Sequence, residues 1–206
     1  HVFYIALLSC LAWLKSHPQE AARSEAAAPP VVVDVRGSGA HLRVGGTLVA
    51  SRLLRAARIA GVGTAAVVGE GRLARDPYAP DPVDLAHVAA PVLLADGGLI
   101  LDPRILDAMI AHGAPCRVET PGEGVRLAFL DAPAWEVYRR DGRLDPAALP
   151  LLDLSTIKTY SFEQRAEVPV YVEEAVSQGQ CDAVTERLLT ATQKKVLDLP
   201  SEFIDP

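Results

Sequence analysis

A loop that combines glycines with arginines follows the first strongly apolar stretch of the sequence. The stretch is VVVDV, residues 31–35, and the loop RGSGAHLR occupies residues 36–43. Glycines let backbone amides approach an anion closely, and arginine donates charge-assisted hydrogen bonds to phosphate. The candidate phosphate-binding residues are Gly37, Ser38 and Gly39, with Arg36 and Arg43 as candidate catalytic cations. The loop has neither a P-loop ending nor the GxGxxG register, so the local sequence fits a plain strand-to-helix turn equally well.

Acidic residues end two later apolar stretches, where they are candidates for holding a divalent cation. Asp96 ends PVLLAD and precedes two glycines, and Glu173 and Glu174 end VPVYVEE. Mg²⁺ needs only one or two carboxylates when water and phosphate oxygens complete its coordination. Each acid also has an ordinary interpretation, because Asp96 suits an Asp-Gly turn and a glutamate pair suits a solvated surface. Considered together with the loop, the three acids predict a metal-assisted site for nucleotidyl transfer.

The elements that must position these residues alternate along the chain. Solid apolar segments at 31–35, 64–69, 91–96, 116–119, 125–131 and 168–174 predict strands. Helices are predicted at 47–61, with Thr47 as N-cap, at 102–113, within AWEVYRR, and at 181–195. This alternation predicts an α/β fold with three layers, in which helices cover both faces of a mostly parallel sheet. Ligands in such folds bind beyond the carboxyl ends of the strands.

The composition and charge of the chain exclude several classes of protein. The chain has 206 residues, enough for one sizeable domain, and its net charge of −6 argues against a general nucleic-acid binder. Seven arginines but a single carboxylate, Glu70, lie between residues 36 and 75, which suits a bound anion. Cys10, Cys116 and Cys181 are far apart and indicate neither a zinc site nor a disulfide framework. We therefore expect a reducing, cytoplasmic location.

The two ends of the chain differ from its middle. Residues 1–30 comprise an apolar segment, too short to span a bilayer as a helix, and an Ala- and Pro-rich linker. Export is a less favoured hypothesis that rests on this segment alone. We expect the main domain to cover residues 31–193 and residues 194–206 to lead towards a further domain.

The order of the motifs resembles that of a known nucleotidyltransferase family, which includes sugar-phosphate and inositol-phosphate nucleotidyltransferases and molybdenum-cofactor guanylyltransferases (MobA-like domains). VGGTLVASRLLRAARIAGV resembles the start of the family's first helix. VLLADGGLILDP resembles its metal-binding segment, with Asp96 at the position of the metal aspartate. VYVEEAVSQGQCDAVTERLL resembles the late segment that carries the second metal acid. The loop departs from the family, because it lacks the Pro-Lys pair whose lysine contacts phosphate.

The tail LLTATQKKVLDLPSEFIDP resembles the linker to a membrane-embedded CDP-alcohol phosphatidyltransferase domain, at the cytoplasmic face of a membrane. The resemblance implies a Rossmann-like, GT-A-like fold with Mg²⁺ as cofactor. It also implies transfer of a nucleotidyl group, with CTP favoured as donor, to a phosphorylated alcohol or sugar in phospholipid biosynthesis. The missing Pro-Lys pair supports an alternative, a catalytically degenerate module that binds nucleotide and docks on a membrane transferase.

Overall fold

The computed structural model describes residues 28–69, 76–157, 160–161, 166–167 and 169–188. The predicted N-terminal apolar segment, nearly all of the linker that follows it and the predicted C-terminal linker lie outside these ranges. Among the described residues, no helix combines the length and apolar character needed to cross a bilayer.

The described residues form short strands and four α-helices. In chain order these are β1 (Val31–Asp34), β2 (Arg43–Val44), β3 (Thr47–Leu48), α1 (Val49–Ile59), β4 (Thr64–Val68), β5 (Asp81–Pro82), β6 (Val92–Asp96), β7 (Leu99–Leu101), α2 (Pro103–His112), β8 (Cys116–Arg117), β9 (Leu127–Leu130), α3 (Ala132–Asp141), β10 (Tyr160–Ser161), β11 (Ala166–Glu167), β12 (Val172–Glu174) and α4 (residues 178–188).

Six strands form the central sheet, in the order β5-β4-β1-β6-β9-β8. β1 runs parallel to β4 and β6, and β4 runs parallel to β5, whereas β9 is antiparallel to both β6 and β8. The predicted α/β class is confirmed, and the sheet is rich in parallel strands. The antiparallel edge arises because β8 and β9 are joined by a turn too short for the crossover that parallel strands need.

Helices cover both faces of this sheet. Successive side chains of a strand point to opposite faces. On one face Val33 belongs to a buried cluster with Leu53 of α1 and Met109 of α2. On the other face Val32 belongs to a cluster with Trp135 of α3. The arrangement is therefore a sheet between two helical layers.

The strand order reverses between β1 and β6. The chain moves outward from β1 to β4 and β5 and then returns to place β6 on the other side of β1. The last residues of the two strands, Asp34 and Asp96, are register partners. In open α/β sheets this reversal opens a crevice beyond the carboxyl ends of the strands, which is where ligands bind.

The helix boundaries test the sequence predictions directly. Asp102 caps α2, accepting a hydrogen bond from the backbone N–H of Arg104 at 3.0 Å, and Gly113 ends it with φ 65°, as predicted. The predicted cap Thr47 is wrong, because Thr47 lies in a hairpin and α1 begins at Val49. The hairpin forms since Gly45 and Gly46 both have positive φ, the requirement of its two-residue turn.

The late strand β12 lies outside the central sheet. It pairs antiparallel with β7, which follows β6 after a glycine turn. Glu174, its last residue, therefore comes close to the end of β6 through this separate strand pairing and not as part of the parallel array.

Candidate functional site

The glycine-containing loop after β1 packs closely against two other segments. A Cβ atom placed on Gly39 would lie well inside 3.0 Å of the carbonyl oxygen of Ala175, which directly follows β12. The same atom would lie 3.2 Å from Cα of Gly98. A Cβ on Gly37, by contrast, would make only an ordinary contact of 3.9 Å with Oδ1 of Asp96. The loop thus meets the end of β6 and the end of β12 at one place.

Asp96 uses its two carboxylate oxygens differently. Oδ1 accepts a hydrogen bond from the backbone N–H of Gly98 at 2.7 Å, which is the Asp-Gly turn expected as the ordinary interpretation. Oδ2 accepts one from Nε of Arg126 at 3.0 Å. One oxygen of Asp96 therefore stabilises the turn after β6, while the other contacts a cationic side chain.

Arg126 bridges the two acids of the site. Besides Asp96, it contacts Glu174, with 2.8 Å between Nη1 and Oε1, and Nη1 also donates to the carbonyl of Pro121 at 2.8 Å. Its side chain is only 13% exposed. Burial by itself would lower the pKa of Arg126, but the hydrogen bonds and charges of the two carboxylates outweigh it and raise that pKa above its usual value. The guanidinium is therefore permanently charged.

The two glutamates of β12 point in different directions, as adjacent strand residues do. Glu174 faces Arg126, whereas Glu173 forms an ion pair with Arg187 of α4. The sequence left open which glutamate would join Asp96, and the structure brings Glu174 to it.

These residues line a cavity of about 350 Å³, which we call the cleft. It contains the predicted loop residues, Asp96 and Glu174 together with residues that sequence reasoning did not select. Its lining is Gly37, Ser38, Gly39, Asp96, Gly122, Glu123, Arg126, Glu174, Ala175 and Val176.

The two arginines chosen from the sequence have partners elsewhere and do not line the cleft. Arg36 bonds through its guanidinium to Asp34 and Tyr138. Nη1 of Arg43 donates to the carbonyl of Gly46 at 2.7 Å. Arg126 was missed, because its position depends on the antiparallel register of β9, in which the Arg126 carbonyl accepts from the backbone N–H of Asp96 at 2.7 Å.

Asp34, at the end of β1, is held as a carboxylate beside the cleft. Nε of Arg36 donates to Oδ1 at 2.9 Å, and the Tyr138 hydroxyl donates to Oδ2 at 2.9 Å. Burial would raise the pKa of Asp34, but these hydrogen bonds outweigh it and lower the pKa below its usual value. Burial and the charge of Asp34 raise the pKa of Tyr138. Asp34 and Tyr138 line an adjoining cavity of about 200 Å³, whose wall includes Asp96 and Arg126.

Two carboxylates of the cleft, those of Asp96 and Glu174, are the residues that could hold Mg²⁺. Within the described part of the chain, no group of three or more His, Cys, Asp or Glu side chains is placed to hold a metal ion. Asp96 and Glu174 supply the oxygen ligands that Mg²⁺ prefers, in the number that suffices when phosphate oxygens complete the coordination. The guanidinium between them shows that the pair already binds a cation.

A thiol nucleophile is not part of the cleft lining. Cys116 and Cys181 are both buried free thiols, in separate hydrophobic clusters. Burial raises the pKa of each, so neither thiol is activated as a thiolate.

Comparison with models of known protein families finds no match, and comparison with curated proteins finds none either. The function proposed below is therefore inferred from the cleft together with the resemblance of the sequence motifs.

Proposed function

We propose that this chain is a nucleotidyltransferase domain whose cleft binds the triphosphate of a nucleotide. The observation that carries the proposal is the meeting of the Gly37–Gly39 loop with Asp96 at the point where the strand order reverses. The finer fold assignment, a Rossmann-like, GT-A-like nucleotidyltransferase fold, belongs to the same proposal. It is supported by the order of the four parallel strands, β5-β4-β1-β6.

The reaction needs no nucleophilic side chain from the protein. A phosphate oxygen of the acceptor attacks the α-phosphorus of the nucleotide, a new P–O bond forms, and the bond to the β-phosphate oxygen breaks to release pyrophosphate. The loop residues Gly37, Ser38 and Gly39 bind and orient the triphosphate. Asp96 and Glu174 would hold Mg²⁺, which when bound neutralises charge on the phosphates. Catalysis then consists of positioning and electrostatic stabilisation.

The substrates follow from the sequence resemblance. CTP is the favoured donor, and a phosphorylated alcohol or sugar is the acceptor, so the product is a CDP-activated compound. Such a product is what a CDP-alcohol phosphatidyltransferase domain consumes, in keeping with the resemblance of the segment that begins at Leu188.

Calorimetric titration of CTP, ATP and GTP in the presence of Mg²⁺ tests this function. We expect CTP to bind the natural chain, and Asp96→Ala to weaken binding at least tenfold. Asp81→Asn is the matched control, because Asp81 is exposed on the edge strand β5, at the far side of the sheet from β6. Pyrophosphate release is then measured with phosphorylated alcohols and sugars as acceptors. If no nucleotide binds with Mg²⁺, the proposal is wrong.

The second candidate is a module that binds nucleotide without transferring it and docks on a membrane transferase. The contacts of Arg126 favour it, since the guanidinium takes a carboxylate oxygen from each of Asp96 and Glu174. The missing Pro-Lys pair of the loop favours it as well. Nucleotide binding that survives Asp96→Ala, with no pyrophosphate released for any acceptor, would support this candidate over the enzyme.

A further inference from the structure

Arg126 is held in place from two directions. Its guanidinium bridges Asp96 and Glu174, and the turn formed by residues 121–124 packs on it from outside. A Cβ on Gly122 would lie 2.6 Å from Nη1 of Arg126 and 3.2 Å from Oε2 of Glu174. Gly122 has φ +88°, a conformation that favours glycine. This turn is exposed to solvent.

The charges lining the cleft favour a cation. Asp96, Glu174 and the exposed Glu123 carry three negative charges, against the single positive charge of Arg126. Removing the guanidinium would leave two close carboxylates without their partner, and uncompensated like charges attract a cation strongly in a partly buried site.

A divalent ion and the guanidinium need the same atoms. Oδ1 of Asp96 already accepts a hydrogen bond from the backbone N–H of Gly98, and Oδ2 accepts one from Arg126, so a divalent ion at this carboxylate meets the guanidinium. Oε1 of Glu174 contacts Arg126 as well. The two cations therefore compete for one pair of oxygens.

We propose that Arg126 is an internal competitor for the divalent cation, so that the cleft takes the metal ion only in exchange for the guanidinium. The released guanidinium is then a donor for the phosphates of the ligand, to which arginine binds well. This inference rests on the proposed function, since it concerns the metal pair of the same cleft. It makes Arg126 a regulating residue of the site in the ligand-free protein.

A titration with Mn²⁺ alone tests the exchange without nucleotide or turnover. Binding is measured as the loss of the electron paramagnetic resonance signal of free Mn²⁺. We expect Arg126→Ala and Arg126→Gln to bind one Mn²⁺ at least tenfold more tightly than the natural chain. Arg139→Ala is the matched control, because Arg139 forms an exposed ion pair with Glu136 on α3, and it should leave Mn²⁺ affinity unchanged. Adding Glu174→Gln to Arg126→Ala should abolish the gain. Circular dichroism and thermal unfolding establish that each variant is folded.

The outcomes separate this inference from the function on which it rests. Equal Mn²⁺ affinity of the natural chain and both folded Arg126 variants overturns the competition, whether the affinity is high or undetectable. A gain that persists when Glu174→Gln is added overturns it too. Neither result changes the outcome of the calorimetric test, which measures nucleotide binding independently. Conversely, tighter Mn²⁺ binding by the Arg126 variants supports the exchange even where no nucleotide binds, which would refute the proposed function alone.

Discussion

Replacing Gly39 by alanine should destabilise the protein, because this glycine lies directly against backbone atoms. The added Cβ would lie well inside 3.0 Å of the Ala175 carbonyl oxygen, closer than real Cβ atoms approach. It would also press on Cα of Gly98. Both neighbours are backbone, so no side-chain rotation relieves the clash. The segment after β12 must therefore move away from the loop by more than about 0.5 Å.

Gly37, two residues earlier in the same loop, is the matched control. Its backbone angles, φ −75° and ψ 145°, suit any residue. A Cβ added at Gly37 would lie 3.9 Å from the nearest atom, Oδ1 of Asp96. Gly37→Ala should therefore be neutral or stabilise the protein by up to about 1 kcal/mol, by restricting the unfolded chain. Gly39→Ala should cost about 1–3 kcal/mol, the usual cost of forcing an extra methyl group into a packed site.

Thermal unfolding followed by circular dichroism measures the difference. For a domain of this size, about 1 kcal/mol corresponds to roughly 2–4 °C in Tm, so Gly39→Ala should lower Tm by roughly 2–12 °C. Gly37→Ala should leave it unchanged or raise it slightly. Equal Tm values for the two variants would refute the close contact of the loop with Ala175, and with it the geometry of the cleft.

Three further predictions concern the supports of the cleft. Asp34→Asn should destabilise the protein near pH 7. Because the pKa of Asp34 is lowered on folding, the difference should begin to shrink as pH falls below the unfolded value of about 4 and be lost as pH falls through the lower folded-state pKa, as urea unfolding from pH 7 downward would reveal. Trp135→Ala should cost about 3–5 kcal/mol in urea unfolding, since this buried ring stacks on Tyr138 at 5.8 Å. Asp131→Ala should cost about 1 kcal/mol, because Asp131 caps α3 by accepting from the Ala134 N–H at 3.0 Å, whereas Asp131→Asn should cost little.

The parts of the fold that local chemistry determines could be predicted from the sequence. VVVDV and PVLLAD are apolar on both faces, which is what a strand between two helical layers requires, and both are central strands. The bounds of α2 were predictable because Asp102, Pro103 and Gly113 each satisfy a specific backbone requirement at a helix end. The N-terminus of α1 was not, since Gly45-Gly46 formed a hairpin turn that competes with a Thr47 cap.

In the candidate site, the residues at the ends of parallel strands could be predicted, whereas the contacts that depend on antiparallel pairing could not. Asp96 and the Gly37–Gly39 loop were found because both follow parallel strands, whose carboxyl ends meet by topology. Glu174 was a candidate from the sequence, but its approach to the cleft depends on the pairing of β12 with β7. Arg126, which was not a candidate, reaches the cleft through the antiparallel register of β9. Neither register has a signal in its own residues, so the ion bridge at the centre of the cleft was invisible in the sequence.

The contact between Gly39 and Ala175 also has a consequence for the order of events during synthesis. The loop after β1 leaves the ribosome early, whereas β12 follows only after the whole central sheet has been made. Until β12 emerges and pairs with β7, Glu174 is missing and one wall of the cleft does not exist. Since chains fold from the N-terminus as they emerge, a nascent chain can form its central sheet before it can hold a ligand. Under the proposed function, ligand binding at this cleft would therefore report that the chain is complete through β12.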